Sequence, residues 1–183
     1  VSVRITQPDP KKTDLETVLN PSESARDWTA IVVHHTATDR GSVESIHQTH
    51  LNRKWLGIGY HFVIGNGQGM EDGLIEETFR WRGQLHGAHA GQNEYNRHGI
   101  GIALIGNFEK TPPTPAQVDS LTELVLRLQQ KYQISPDRIF GHGELKTTAC
   151  PGRFFPLAEL RLACQAIPRT TDRPEYAFEG SAR

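Results

Sequence analysis

An apolar run with no charged residue, Ile100-Gly101-Ile102-Ala103-Leu104-Ile105, constrains this chain more than any other feature. A strand buried on both faces reads as a continuous run rather than an alternation, so this segment suits a buried central strand. A second β-branched run, Ile31-Val32-Val33, lies within the strand expected over 28–36. Between and after them come helical patterns. Ser42 is placed to cap a helix carrying Val43, Ile46, His47, His50 and Leu51 at helical spacing, with its end marked by Gly57 and Gly59. Thr114-Pro115-Ala116-Gln117 combines an N-cap, a proline at the first helical position and a capping-box glutamine. Val118, Leu121, Leu124, Val125 and Leu128 then form the stripe that such a helix buries.

Shorter signals fill in the rest. Tyr60-His61-Phe62-Val63-Ile64 reads as a strand, and Asn66-Gly67 as a tight turn leading through Met70 to Leu74-Ile75-Glu76-Glu77, a hairpin or meander. Residues 80–98 have neither helical nor strand period, and a loop of that length in a small domain is usually functional or disordered. Ser135-Pro136-Asp137 turns the chain into a strand ending at His142, and a last helix spans about 156–166. The order of elements predicts an α/β fold, a single domain with a mixed central β-sheet flanked by helices. Its expected bounds are 28–167, preceded by a polar arm (1–27) without clear periodicity and followed by a mobile tail (168–183) poor in apolar residues.

With 183 residues, 22% charged and 36% hydrophobic, the chain fits one globular domain with a proper core. The formal net charge of −1 leaves no basic surplus, which argues against nucleic acid as the main partner. No apolar stretch is long enough to cross a bilayer, so no transmembrane segment is expected. The chain starts at Val1 without methionine or a signal-peptide pattern, as a processed or trimmed product would. Its two cysteines, Cys150 and Cys164, allow a short-loop disulfide. Cys164 continues a helical apolar stripe, however, which suits a buried inert thiol better.

Chemistry concentrates at His34, His142 and Cys150. Each histidine closes an apolar strand, at the edge where open α/β sheets collect ligand-binding groups. Neutral imidazole and thiolate are the ligands a borderline-soft cation such as Zn2+ prefers, and three protein ligands leave one tetrahedral position for water. A metal there lowers the pKa of water and polarises a carbonyl, so the trio reads as the site of a zinc hydrolase.

The chain resembles the zinc-dependent N-acetylmuramoyl-L-alanine amidases, a superfamily that includes phage lysozyme-type amidases and peptidoglycan recognition proteins. The resemblance is carried by Val33-His34-His35-Thr36-Ala37-Thr38, Gly59-Tyr60-His61-Phe62-Val63-Ile64, Asn96-Arg97-His98-Gly99-Ile100-Gly101-Ile102 with Gly106-Asn107-Phe108, Gly141-His142, and Thr148-Ala149-Cys150-Pro151-Gly152. These occur in family order over roughly 28–165. The resemblance implies His34, His142 and Cys150 as ligands and Zn2+ as cofactor. It implies a catalytic place for Tyr60, beside the metal, and for Thr148, at a position held by lysine in some active members and threonine in others. His35 is implied as a neighbour shaping the site, and His89 and Asn96 as residues near the substrate groove. The implied substrate is peptidoglycan or a muropeptide, cut between the lactyl group of muramic acid and L-alanine. The implied location is the cell envelope, periplasmic or secreted, and the default state is a monomer.

Several alternatives stay open at this stage. Lys146 is a possible substitute for Thr148, and Glu144 and His35 lie near the ligands as general-base candidates, with Glu144 equally able to orient His142. A non-catalytic peptidoglycan-binding module is the first rival; relatives of that kind typically lack the cysteine ligand, which Cys150 supplies here. A thiol hydrolase with Cys150 as nucleophile and His142 as base is the second, and the histidine at 34 argues against it.

Overall fold

The computed structural model describes residues 14–165. Its centre is the parallel pairing of β1 (Ala30–His35) with β4 (Gly99–Leu104), both buried along their whole length. Around them lie β2 (Phe62–Ile64), β3 (Ile75–Glu77) and β5 (Ile139–Gly141). The five strands form one mixed sheet in the order β3-β2-β4-β1-β5. Only the β2–β3 hairpin is antiparallel.

Strand alternation sorts the side chains into two layers. On one face Ile31, Val33, Phe62, Ile64, Ile100, Ile102 and Leu104 form the main core. It is covered by α5 (Pro115–Tyr132), whose Leu121, Leu124, Val125 and Leu128 are buried, and by α7 (Leu157–Gln165), which adds Leu160 and Cys164. Leu124 is wholly buried, and cutting it to alanine costs about 2–5 kcal/mol. The other face is thinner: Val63, Ile58, Met70 and Ile105 pack with Val43 and Ile46 of α2 (Val43–Asn52). That face carries His34, the residue next to Val33, and so the chemistry lies opposite the main core.

Local signals set the long helices. Thr114 accepts from the Gln117 amide while the Gln117 side chain accepts from the Thr114 amide, so the capping box forms. Ser42 caps α2 in the same reciprocal way with Ser45. No helix among the described residues is long and apolar enough to cross a membrane.

The shorter elements differ from the sequence expectation. The arm carries α1 (Leu15–Val18), whose Leu15, with Leu19 just beyond it, joins the main core. The segment 80–98 contains α4 (Asn93–His98) and most of α3 (Phe79–Arg82), where a structureless loop was expected. Four- and six-residue helices are too short to show a period, and tertiary contacts hold them. Trp81, fully buried, donates its indole N–H to the Val18 carbonyl at 2.7 Å. Tyr60 and His61 precede β2 rather than lying in it. The connection at Asn66-Gly67 is a longer loop, in which Gly67 takes a φ of 82°. His142 opens α6 (His142–Leu145) instead of closing β5. The expected tail, 168–183, lies outside the described residues, as do residues 1–13 of the arm.

Candidate metal centre

Parallel register brings the two histidines together. Val33 pairs with Gly141, so the residues that follow them, His34 in β1 and His142 at the start of α6, emerge at the same C-terminal sheet edge. Their ring centroids are 4.6 Å apart. Cys150 arrives from the loop after α6, which is folded back by a Gly143 N–H to Cys150 carbonyl hydrogen bond of 2.6 Å. Its Sγ lies 3.7 Å from His34 Nδ1. One ligand atom from each of His34, His142 and Cys150 falls within 4.8 Å of the other two.

Burial sets the protonation state of each donor, keeping both imidazoles neutral and the thiol protonated in the absence of a metal. His34 is 1% exposed, and burial, reinforced by the neighbouring His89 and His142, holds its imidazole neutral, well below the ordinary histidine range. Burial likewise lowers the pKa of His142. Its Nε2 is buried with no hydrogen-bond partner among the described residues. Burial pushes the Cys150 thiol up to about 11, offset in part by the His35 backbone N–H, which donates to Sγ at 3.4 Å. His34, His142 and Cys150 could together hold a cation, and a donor set of two imidazoles and one sulfur fits zinc.

Tyr60 stands beside this cluster, its ring centroid 5.0 Å from that of His34. Burial raises the pKa of its phenol, so the hydroxyl stays protonated and able to donate. Thr148 is exposed, and its Oγ1 accepts the Cys150 amide at 3.3 Å. His35 turns its Nδ1 to the Phe108 amide, 3.1 Å away, so its backbone rather than its ring meets the thiol. His89 is buried, with Nδ1 at 3.1 Å from His34 Nε2 and its own Nε2 at 3.1 Å from the Gly99 carbonyl. The Asn96 side-chain oxygen accepts the amides of His89 (2.8 Å) and Ala90 (2.9 Å). Lys146 is exposed. The Glu144 carboxylate is taken by the Gly141 amide at 2.8 Å and by Arg161 at 2.6 Å. Both cysteines are free, buried thiols.

Some residues of the site carried no sequence signal of their own. A groove of about 290 Å³ runs beside Tyr60, lined among others by Thr36, Arg40, Thr49, His50 and Arg53. The two arginines make it cationic, yet in the sequence they are indistinguishable from solvated charges. His61, seen only as part of a motif, is fully buried; its Nδ1 accepts the Gly101 amide at 2.8 Å and its Nε2 lies 3.0 Å from the Leu85 carbonyl.

Comparison with known proteins gives a consistent picture. The family model described as N-acetylmuramoyl-L-alanine amidase matches residues 24–153. A peptidoglycan-recognition protein of Drosophila simulans is 36% identical over 140 residues, 72% of this chain and 71% of that protein. The endolysin of Escherichia phage T7 is 35% identical over 130 residues, 67% of this chain and 79% of that protein. Among solved structures, the endolysine N-acetylmuramoyl-L-alanine amidase LysCS from Clostridium intestinale URNW matches with a TM-score of 0.67 at 33% identity, covering 77% of this chain and 87% of that one.

Proposed function

Because this chain belongs to the N-acetylmuramoyl-L-alanine amidase family, we propose that it is a zinc-dependent hydrolase of the amide bond between N-acetylmuramic acid and L-alanine in peptidoglycan or muropeptides. The observation that carries this reading is the convergence of one donor atom from each of His34, His142 and Cys150 within 4.8 Å. A recognition module that only binds has no need of a thiol in that place.

His34, His142 and Cys150 would hold the ion. Zinc supplies Lewis acidity, activating water and polarising a carbonyl. The chain's own residues do the rest. Tyr60, kept protonated by burial, donates its O–H to the oxygen on which negative charge develops as water attacks the lactyl carbonyl carbon. Thr148, whose Oγ1 accepts from the Cys150 amide, keeps its own hydroxyl proton for the same oxygen. The C–N bond then breaks, and the proton lost by water ends on the amine of L-alanine. Arg40 and Arg53 give the adjoining groove the charge to hold stem-peptide carboxylates. The substrate supports a location in the cell envelope, periplasmic or secreted, and the monomer is kept as the default state.

Digestion of purified muropeptides followed by mass spectrometry tests this. The expected products are stem peptides with a free L-alanine amine and peptide-free glycans. Muropeptides retained intact by a protein that binds them would make it a recognition module instead.

A further inference from the structure

Behind the candidate metal centre, three groups form a line: the Gly99 carbonyl, the His89 ring and the His34 ring. The carbonyl can only accept, so at 3.1 Å it requires the proton of His89 to sit on Nε2. A neutral imidazole has one such proton, and His89 Nδ1 is left with a lone pair. That lone pair faces His34 Nε2 at 3.1 Å, so the His34 proton must be on Nε2. His34 Nδ1, the nitrogen facing Cys150 Sγ at 3.7 Å, is then unprotonated.

We propose that His89 is a positioning residue that fixes His34 in the Nε2–H tautomer and so presents Nδ1 as a ready metal donor. This rests on the reading of His34 as a ligand, and it deepens that reading by naming what orients the ligand.

The surroundings are shaped for this task. A Cβ at Gly101 would lie 2.6 Å from His89 Cδ2, and one at Gly87 would lie 2.3 Å from the same atom, so both positions must lack a side chain for the ring to fit. Asn96 anchors the backbone on which the ring is mounted, through the amides of His89 and Ala90. The neighbouring His61 is already committed at both ring nitrogens, to the Gly101 amide and the Leu85 carbonyl, and does not compete for His89. Metal-binding histidines generally pass their other ring N–H to an acceptor, and loss of that acceptor weakens metal binding. Here the acceptor is a second imidazole whose own proton position a main-chain carbonyl dictates.

Two measurements decide it. Long-range 1H–15N NMR of the metal-free native protein should show His34 protonated on Nε2 and bare on Nδ1, with His89 in the same form. A His34 proton on Nδ1, or a doubly protonated His89 at neutral pH, would overturn the proposal. Zinc affinity by chelator competition should fall about 10- to 100-fold in His89→Leu. It should be largely restored in His89→Asn, whose amide oxygen falls near the place of Nδ1; a merely space-filling role would instead favour leucine. A folded leucine variant with native affinity would contradict the assignment. Should leucine prevent folding, the NMR result on the native chain still decides. A native protein that takes up no zinc would defeat the metal reading alone, leaving the tautomer result to stand or fall separately.

Discussion

Val33 and Gly141 are partners in the parallel β1–β5 ladder, although more than a hundred residues separate them in the chain. That register places His34 and His142 side by side, and the loop closed between Gly143 and Cys150 brings the sulfur to them. The centre therefore depends on backbone pairing of the buried β1 with the edge strand β5 and on a hydrogen-bonded loop, not on flexible side chains reaching across a surface. Sites mounted on rigid elements hold their geometry more tightly than sites on loops.

Cys150→Ser should remove bound zinc and amide hydrolysis together. A serine hydroxyl is a poor replacement for thiolate on this cation. Metal analysis after gentle purification, run beside a muropeptide assay, checks both. Hydrolysis that persists without zinc would point to different chemistry.

Tyr60→Phe should leave metal content and fold intact while lowering kcat. The ring packs beside His34 and survives the change, whereas the donor hydroxyl is lost. Removing one donor to a developing oxyanion costs roughly 100- to 1,000-fold in rate. Steady-state kinetics on the zinc-loaded variant gives the answer, and an unchanged kcat would remove Tyr60 from the mechanism.

Glu144→Gln should retain most activity. The carboxylate is bound to the Gly141 amide and to Arg161 on α7, so it braces the turn that carries His142 and is not free to move protons. The loss should appear as stability, on the order of 1 kcal/mol for a cap interaction of this kind. Urea unfolding and the muropeptide assay separate the two effects; a collapse of kcat in a stable variant would restore Glu144 as a base.

The metal-free protein should be acid-sensitive in a defined window. Burial brings His89 and His50 down to about 4 and holds His61 well below the ordinary value of 6.5. Between those values the unfolded chain binds more protons than the folded one, so the stabilisation is complete above pH 6.5 and is lost as pH falls towards 4. For the fully buried His89 the shift corresponds to about 3 kcal/mol. Urea midpoints should therefore drop steadily from pH 7 to pH 4, and a flat profile would contradict the burial of neutral imidazoles.

The parts legible in the sequence were those fixed by local chemistry or by long apolar runs. The Thr114–Gln117 box and the stripe from Leu121 to Leu128 announce α5 because every interaction involved is a few residues long. The ends of β1 and β5 mark His34 and His142 for a similar reason. By contrast, α3 depends on the Arg80 guanidinium donating to the Ile58 and His86 carbonyls and on Trp81 reaching Val18, contacts that no window of sequence displays. The line from Gly99 through His89 to His34 was hidden in the same way. It requires the sheet to bring Gly101 beneath a ring from a separate loop.

X-ray absorption at the zinc edge of the purified, zinc-loaded protein tests the metal centre most directly. The expected coordination shell contains two imidazole nitrogens at about 2.0–2.1 Å, one sulfur at about 2.3 Å and one further light atom. A shell without sulfur, or a protein that holds no zinc, would contradict the assignment of His34, His142 and Cys150.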